Sequence, residues 1–238
     1  MLPSAAALAD AAAGRFVAAA GDAIDSRGQF IVALSGGSTP RDTYRRLATE
    51  ALVSREMWSR VQVLWGDERC VPPDHAESNY RMARETLLDR VPVPAASVHR
   101  IHGEDDPATA AAVYETTLRA LLRTPAGARI DLVLLGLGED GHTASIFPGS
   151  AAVHEQTRWV MAAHAAAASM WRITLTPAVI NAAAEVLFLV SGGAKAGILR
   201  RVIEGPRRPD ELPAQVIEPS NGRVRWCVDA AAAGELQP

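Results

Sequence analysis

Apolar, β-branched runs alternate along the chain with Gly-rich turns and with Ala-, Leu- and Arg-rich segments of helical periodicity. This alternation is typical of a parallel sheet whose two faces are covered by helices. The run Phe30–Leu34 leads into a turn at residues 35–39, and Pro40 suits the first turn of the helix that follows. Residues 130–135 are almost continuously apolar, as a central parallel strand should be. The pattern therefore predicts an α/β fold with a mainly parallel sheet.

Further elements follow from the same pattern. Strands are predicted at residues 61–65, 98–101, 158–162, 171–175, 186–190 and 224–228. Helices are predicted at about residues 1–20, after a cap at Ser78 or Asn79, at about 107–123, from Pro177 and through Lys195. The Ala-rich residues 1–20 also resemble a signal peptide. They lack a basic N-terminal region, however, and Asp10 interrupts their apolar stretch.

Length and composition indicate one folded domain. The 238 residues exceed a typical domain of about 150 residues and fall short of two. No linker-like stretch or repeat divides the sequence, so we expect a single domain over residues 1–238. A chain that is 48% hydrophobic and 21% charged is not disordered throughout. No apolar run approaches the roughly 18 residues that a membrane-spanning helix needs.

Charge and cysteine content bear on partners and compartment. The formal net charge of -3 removes the long-range attraction to nucleic-acid backbones or anionic lipid. We therefore expect neither a nucleic-acid nor a membrane partner. Cys70 and Cys227 cannot form a multi-disulfide framework, which favours a cytoplasmic location.

Four turns that follow predicted strands carry small and polar residues, at residues 35–39, 66–69, 136–142 and 191–195. In open α/β sheets, ligands bind beyond the carboxyl ends of the strands, where such turns gather. We therefore expect these turns to form one site.

Two of the turns suit a phosphate group. In the first, Gly36 and Gly37 allow close backbone approach, while Ser38 and Thr39 add hydroxyl donors at a helix start. A plain turn can carry the same glycines, but the last of the four turns repeats the pattern and adds Lys195. Lys195 is the only lysine among the 24 basic residues. This lysine is present either by chance or because the site needs a compact ammonium group that arginine cannot imitate.

His142 is the candidate general base, because it follows an acidic residue and a glycine at the end of a predicted strand. A neutral imidazole can take a proton from water at neutral pH. The alternative is a loop histidine that binds nearby carbonyl groups. His99 and His102 resemble a metal pair, but their spacing on a predicted strand places them on opposite faces, and we expect no metal site.

The glycines of the same turn also match the dinucleotide pattern G-x-G-x-x-G. Two features disfavour that interpretation. Pro148 and Gly149 interrupt a long helix after the turn, and the strand at 158–162 lacks a terminal acid to hold a ribose.

Five strings resemble one known family and occur in its order along nearly the whole chain. They are LSGGSTP (34–40), WGDER (65–69), SNYRMARETLL (78–88), LGLGEDGHTASIFPGS (135–150) and VSGGAKAGILRRVI (190–203). The sequence resembles the glucosamine-6-phosphate isomerase/6-phosphogluconolactonase family, on its lactonase side. The resemblance implies a Rossmann-like three-layer α/β/α sandwich without a metal or nucleotide cofactor. It also implies hydrolysis of 6-phospho-D-glucono-1,5-lactone to 6-phospho-D-gluconate in the oxidative pentose phosphate pathway.

The resemblance also assigns roles to residues. His142 matches the family's general base, while Asp67 and Arg69 match an acidic and basic pair that lines the sugar pocket. Lys195, Ser38, Thr39 and Arg172 match the phosphate site. Whether the neighbouring Asp140 orients the histidine or contacts substrate stays open. The implied partner is a small-molecule sugar phosphate, bound by a monomer or weak homo-oligomer.

Two alternatives remain at this point. In amino-sugar phosphate deaminase/isomerases a glutamate follows the ring-opening histidine, and Phe147 occupies that place here. A non-catalytic sugar-phosphate sensor would need a DNA-reading segment, and only 29 Ala-rich residues precede the first predicted strand.

Overall fold

The computed structural model describes residues 1–49, 53–122, 129–165 and 170–237. In chain order its helices and strands are α1 (Ala5–Arg27), β1 (Phe30–Leu34), α2 (Ser38–Leu47), α3 (Arg55–Ser59), β2 (Val61–Trp65), β3 (Asp67–Arg69), α4 (Asn79–Thr86), α5 (Pro107–Leu121), β4 (Leu132–Leu135), β5 (Val160–Ala165), β6 (Met170–Leu175), α6 (Pro177–Ile180), β7 (Glu185–Val190), α7 (Ala196–Ile203) and β8 (Arg223–Val228).

Five parallel strands form the main sheet in the order β2-β1-β4-β7-β8. Every residue of β1, β4 and β7 is buried, which explains why these strands are apolar without alternation, except at Glu185, the first residue of β7. The predicted α/β fold with a mainly parallel sheet is confirmed.

A second, antiparallel sheet of three strands, in the order β3-β6-β5, was not expected. The segments predicted at 158–162 and 171–175 as further units of the parallel pattern pair with each other here, and β6 also pairs with β3. β3 lies in the stretch at 66–69 that was predicted to be a turn. A run of apolar residues indicates a strand but not the direction of its partner, so the pattern could not separate the two sheets.

The strand predicted at 98–101 is wrong. Val98 forms one isolated bridge with Val63, and the His99 N–H donates to the Val63 carbonyl at 2.9 Å. Beyond this bridge the chain turns, with the Asp105 N–H bonded to the His102 carbonyl at 3.2 Å. The argument that a strand places the two histidines on opposite faces therefore fails. His99 instead contacts the Gln62 side chain through Nε2 at 2.8 Å.

Helix starts agree better with the sequence, although α1, predicted at about residues 1–20, extends to Arg27. Ser4 caps α1 by accepting from the Ala7 N–H, and Ser78 caps α4 by accepting from the Arg81 N–H. The helix predicted at about 107–123 is observed to Leu121, and residue 123 lies outside the described residues. Across the part of the chain that the structure describes, none of the helices is both long enough and apolar enough to cross a membrane.

Two buried tyrosines fix strand ends next to the expected site. The Tyr44 hydroxyl accepts from the Ser35 N–H at 2.9 Å and donates to the Ser35 carbonyl at 2.8 Å. The Tyr114 hydroxyl does the same at Trp65, at 2.8 and 3.1 Å. Burial raises the pKa of both phenols, so they stay neutral donors.

Candidate active site

One cavity of about 1030 Å³ lies beyond the carboxyl ends of β1, β4 and β7, next to the second sheet. All the site residues predicted from the sequence line it. They are Gly36, Gly37, Ser38, Thr39, Asp67, Arg69, Asp140, His142, Arg172 and Lys195. The structure thus brings together residues that span most of the chain.

His142 and Asp140 form a pair on the loop that follows β4. His142 Nδ1 lies 2.5 Å from Asp140 Oδ1, and the same oxygen accepts from the His142 backbone N–H at 3.1 Å. Burial alone would raise the pKa of Asp140, but the hydrogen bonds and charge of His142 bring this pKa below its ordinary value. With Nδ1 donating to a carboxylate, Nε2 of a neutral imidazole is the nitrogen that can accept a proton.

Gly138 makes room for this pair. A Cβ atom at residue 138 would lie 2.1 Å from His142 Nδ1, 2.3 Å from its Cε1 and 2.7 Å from Asp140 Oδ1. No side chain fits there while the imidazole and carboxylate keep their places. The glycine that suggested a dinucleotide pattern in the sequence therefore provides space for a histidine.

The Phe147 side chain packs against the imidazole of His142 and contributes no polar atom. Its ring centroid is 4.9 Å from that of His142, and it lines the cavity. The position where a deaminase would carry a carboxylate is thus an apolar contact to the histidine.

Alternate side chains of strand β3 lie in two different environments, the cavity and the protein interior. Asp67 and Arg69 face the cavity. Glu68, between them, is buried, and its carboxylate accepts from the N–H groups of Asn79 and Tyr80, each at 2.7 Å. Desolvation raises the pKa of Glu68, although these hydrogen bonds oppose the shift. The period-two pattern of a strand thus presents two site residues while the middle one anchors α4.

Asp67 is held by two residues that sequence reasoning missed as site residues. Asn79 Nδ2 lies 3.3 Å from Asp67 Oδ1, and Ser145 Oγ donates to Asp67 Oδ2 at 2.7 Å. Both are almost fully buried. Each lay in a string that carries the family resemblance, but their side-chain partners depend on the fold.

Arg69 and Arg172 bring two positive charges to one wall of the cavity. They are register partners across the β3-β6 pair. Burial, and next the charge of Arg69, lower the pKa of Arg172. Two adjacent guanidinium groups repel each other and therefore favour an anion between or beside them.

The first glycine turn lies at the start of α2. Gly37 has φ 104°, which a residue with a side chain rarely adopts, and Ser38 and Thr39 form the first turn of the helix. The sequence placed these two residues in the turn itself. Because the N–H groups of a first helical turn have no partner within the helix, this end is suited to an anion.

The second glycine turn is held by Asp229, which sequence reasoning also missed. The Asp229 carboxylate accepts from the Ser191 hydroxyl, from the Gly192 N–H at 3.1 Å and from the Ala232 N–H at 2.8 Å. Burial would raise the pKa of Asp229, but these hydrogen bonds lower it. Asp229 directly follows β8, so its place at the carboxyl edge of the sheet was the one feature of the sequence that could have indicated a site residue. Lys195 is the last residue of this turn, and the helix predicted through it, α7, begins one residue later at Ala196. Lys195 Nζ lies 3.8 Å from Glu139 Oε1.

Within residues 1–49, 53–122, 129–165 and 170–237, no group of three or more His, Cys, Asp or Glu side chains is arranged to hold a metal ion.

Comparisons with known proteins agree with this geometry. Residues 3–226 match the family described as glucosamine-6-phosphate isomerases/6-phosphogluconolactonase. A 6-phosphogluconolactonase of Nostoc sp. is 41% identical over 217 residues, which cover 90% of this chain and 88% of the relative. One of Synechocystis sp. is 40% identical over 219 residues, covering 91% and 88%.

A solved structure of 6-phosphogluconolactonase from Trypanosoma cruzi superposes with a TM-score of 0.88 at 32% identity, covering 100% of this chain and 96% of that one. The resemblance carried by the sequence strings is thereby confirmed, and so is the fold it implied. With a family match over most of its length and relatives at this level of identity, the chain belongs to the glucosamine-6-phosphate isomerase/6-phosphogluconolactonase family.

Proposed function

We propose that this protein hydrolyses 6-phospho-D-glucono-1,5-lactone to 6-phospho-D-gluconate, the lactonase step of the oxidative pentose phosphate pathway. The observation that carries the proposal is the convergence, in one cavity, of the His142 and Asp140 pair with two glycine turns and three cationic side chains. The family membership and the names of the most similar relatives support the same reaction.

In the proposed reaction His142 is the general base. Asp140 accepts a hydrogen bond from the Nδ1–H group, which leaves Nε2 free to take a proton from a water molecule as that water attacks the lactone carbonyl carbon. The tetrahedral intermediate then breaks the bond to the ring oxygen, which receives a proton and becomes a hydroxyl group. The protonated His142 supplies that proton, and the new carboxyl group releases its own proton at neutral pH. Lactone plus water therefore gives a carboxylate, an open-chain hydroxyl group and one free proton. A lactone is already an activated ester, so positioning and charge stabilisation supply most of what the step needs.

The phosphate group of the substrate lies at the two glycine turns in this proposal. Gly36, Gly37, Ser38 and Thr39 offer backbone and hydroxyl donors at the start of α2, and Lys195 and Arg172 add positive charge. Asp67 and Arg69 then line the part of the cavity that holds the sugar ring. Because the phosphate is remote from the carbonyl, its binding energy serves to position the reacting atoms.

The deaminase alternative is not supported. That chemistry needs a carboxylate to move protons beside the histidine, and Phe147 makes an apolar contact at that place. We also propose that the protein works in the cytoplasm as a single domain, a monomer or weak homo-oligomer, and binds no nucleic acid. The modest net charge of -3 supports the absence of nucleic-acid binding, the content of only two cysteines supports the cytoplasmic location, and the lack of a linker-like stretch supports the single domain.

The test is an assay of the purified protein at constant pH on freshly prepared phosphorylated lactone, with acid release above the uncatalysed background as the readout. Ammonia release from glucosamine 6-phosphate is measured in parallel. We expect rapid lactone hydrolysis and no ammonia; ammonia release without lactone hydrolysis would refute the proposal.

A further inference from the structure

Asn79 lies between two parts of the cavity that have different proposed tasks. It is the first residue of α4, only 3% of it is exposed, and it lines the cavity. On one side its Nδ2 donates to the Asp67 carbonyl at 2.9 Å and lies 3.3 Å from Asp67 Oδ1. The Asn79 side-chain amide therefore donates to both the backbone carbonyl and the carboxylate of Asp67.

On its other side the same amide packs against the first glycine turn. A Cβ atom at residue 36 would lie 1.9 Å from Asn79 Oδ1 and 2.5 Å from its Cγ. Gly36 thus gives its side-chain space to Asn79. The carboxamide fills the gap between the turn assigned to the phosphate and the acid assigned to the sugar ring.

The donor chemistry of an amide is what this place requires. The second oxygen of Asp67 already accepts from Ser145 Oγ at 2.7 Å, so Asn79 supplies the donor for the first. An aspartate at residue 79 has nearly the same shape but would place two carboxylates together without that donor.

The start of α4 does not depend on the Asn79 side chain. The Asn79 backbone N–H donates to Glu68 Oε1 at 2.7 Å, and Ser78 caps the helix through its own hydroxyl. Substitution of the side chain therefore leaves the helix start with its existing hydrogen bonds.

We propose that Asn79 is a positioning residue that fixes the distance between the first glycine turn and the Asp67 carboxylate. This inference rests on the proposed function, since it assumes that the turn holds the substrate phosphate. Its consequence is that Asn79 couples phosphate binding to the reacting ring. Loss of Asn79 then reduces the advantage that a phosphorylated lactone has over an unphosphorylated one, whereas simple destabilisation lowers activity on both lactones by the same factor.

The experiment compares kcat/KM for 6-phosphogluconolactone and glucono-1,5-lactone in the wild type, Asn79→Ala and Asn79→Asp. We expect kcat/KM for the phosphorylated lactone to fall ~10- to 100-fold in both variants, as a displacement of about an ångström would cause. The kcat/KM for glucono-1,5-lactone should fall much less. Asn79→Asp keeps the shape of the side chain, so its two kcat/KM values still test the inference if the alanine variant folds poorly.

Asn181→Ala is the matched control. Asn181 also makes two side-chain hydrogen bonds, to the Val216 carbonyl at 2.8 Å and from the Glu218 N–H at 2.8 Å, and it does not line this cavity. We expect the ratio of the two kcat/KM values to stay at its wild-type value in this variant.

A double variant tests the shared contact itself. Gly36→Ala forces a side chain onto Asn79, so Gly36→Ala combined with Asn79→Ala should lose little more than Asn79→Ala alone, a clear failure of additivity. Additive losses, or an unchanged ratio in Asn79→Ala beside an active wild type, would overturn this inference alone. A wild type inactive on the phosphorylated lactone would overturn the proposed function, and the inference with it.

Discussion

The substitution Gly138→Ala places a single methyl group against His142, the proposed general base. The new Cβ would lie 2.1 Å from His142 Nδ1, whereas ordinary contacts begin near 3.4 Å. The imidazole must therefore retreat by more than an ångström or break its contact with Asp140. A misplacement of about 1 Å can cost on the order of 10²-fold in rate. We expect kcat to fall by about that factor, with KM nearly unchanged because both glycine turns keep their structure.

Gly136→Ala provides the control on the same loop. Nothing lies within 4 Å of a Cβ at residue 136, and neither glycine has a left-handed backbone conformation. The same methyl group should therefore be tolerated there, with a stability change of less than about 1 kcal/mol. Steady-state rates on the phosphorylated lactone, with thermal unfolding of both variants, make the comparison. A Gly138→Ala enzyme as active as Gly136→Ala would refute the steric reasoning and the importance of the paired histidine.

Four further predictions concern the proposed phosphate site and the tyrosines. Glucono-1,5-lactone should be a much poorer substrate than its 6-phosphate, because the remote phosphate positions the carbonyl; comparable kcat/KM values would contradict the phosphate assignment. Lys195→Arg should raise KM for the phosphorylated lactone despite keeping the charge, and Lys195→Ala should lose about 1.5–3 kcal/mol in kcat/KM, while unphosphorylated lactone is hydrolysed as before. If arginine serves as well as lysine, the single lysine is a compositional accident. Tyr44→Phe leaves the buried N–H and carbonyl of Ser35 unpaired and should lower the free energy of unfolding by about 1–3 kcal/mol, measured by urea denaturation. Because burial raises the pKa of Tyr44 and Tyr114, the free energy of unfolding should fall as pH rises above about 10, where unfolded tyrosine ionises; a flat profile there would contradict this.

Local pattern predicted the parts of the fold that local forces determine. The predicted bounds of β1 and β2 match the structure, because each is an apolar run that ends at a polar or glycine turn. A helix cap at Ser78 or Asn79 is predictable for the same reason, since capping involves only residues a few positions away, and the structure shows that Ser78 is the cap.

The second sheet could not be predicted in this way. The β5 and β6 segments look like the parallel strands in composition, but tertiary packing makes them antiparallel partners of each other and of β3. This sheet is what places Arg172 opposite Arg69. The electrostatic character of that wall of the cavity thus depends on a pairing that the sequence does not reveal.

The supporting residues of the candidate site show the same limit. His142, Asp67 and Lys195 could be predicted because their chemistry and their motifs stand out in the sequence. Asn79 and Asp229 have the appearance of an ordinary helix start and a strand end. Their contacts with Asp67 and with the second glycine turn join residues 12 and 37 positions apart in different elements, so only the folded structure shows them.

The most direct measurement compares the wild type with His142→Ala on freshly prepared 6-phosphogluconolactone. If His142 takes the proton from the attacking water, its removal should lower kcat by ~10²–10⁴-fold while KM changes little, because the phosphate and sugar contacts remain. A variant that hydrolyses the lactone at nearly the wild-type rate would contradict the assignment of His142 as the general base.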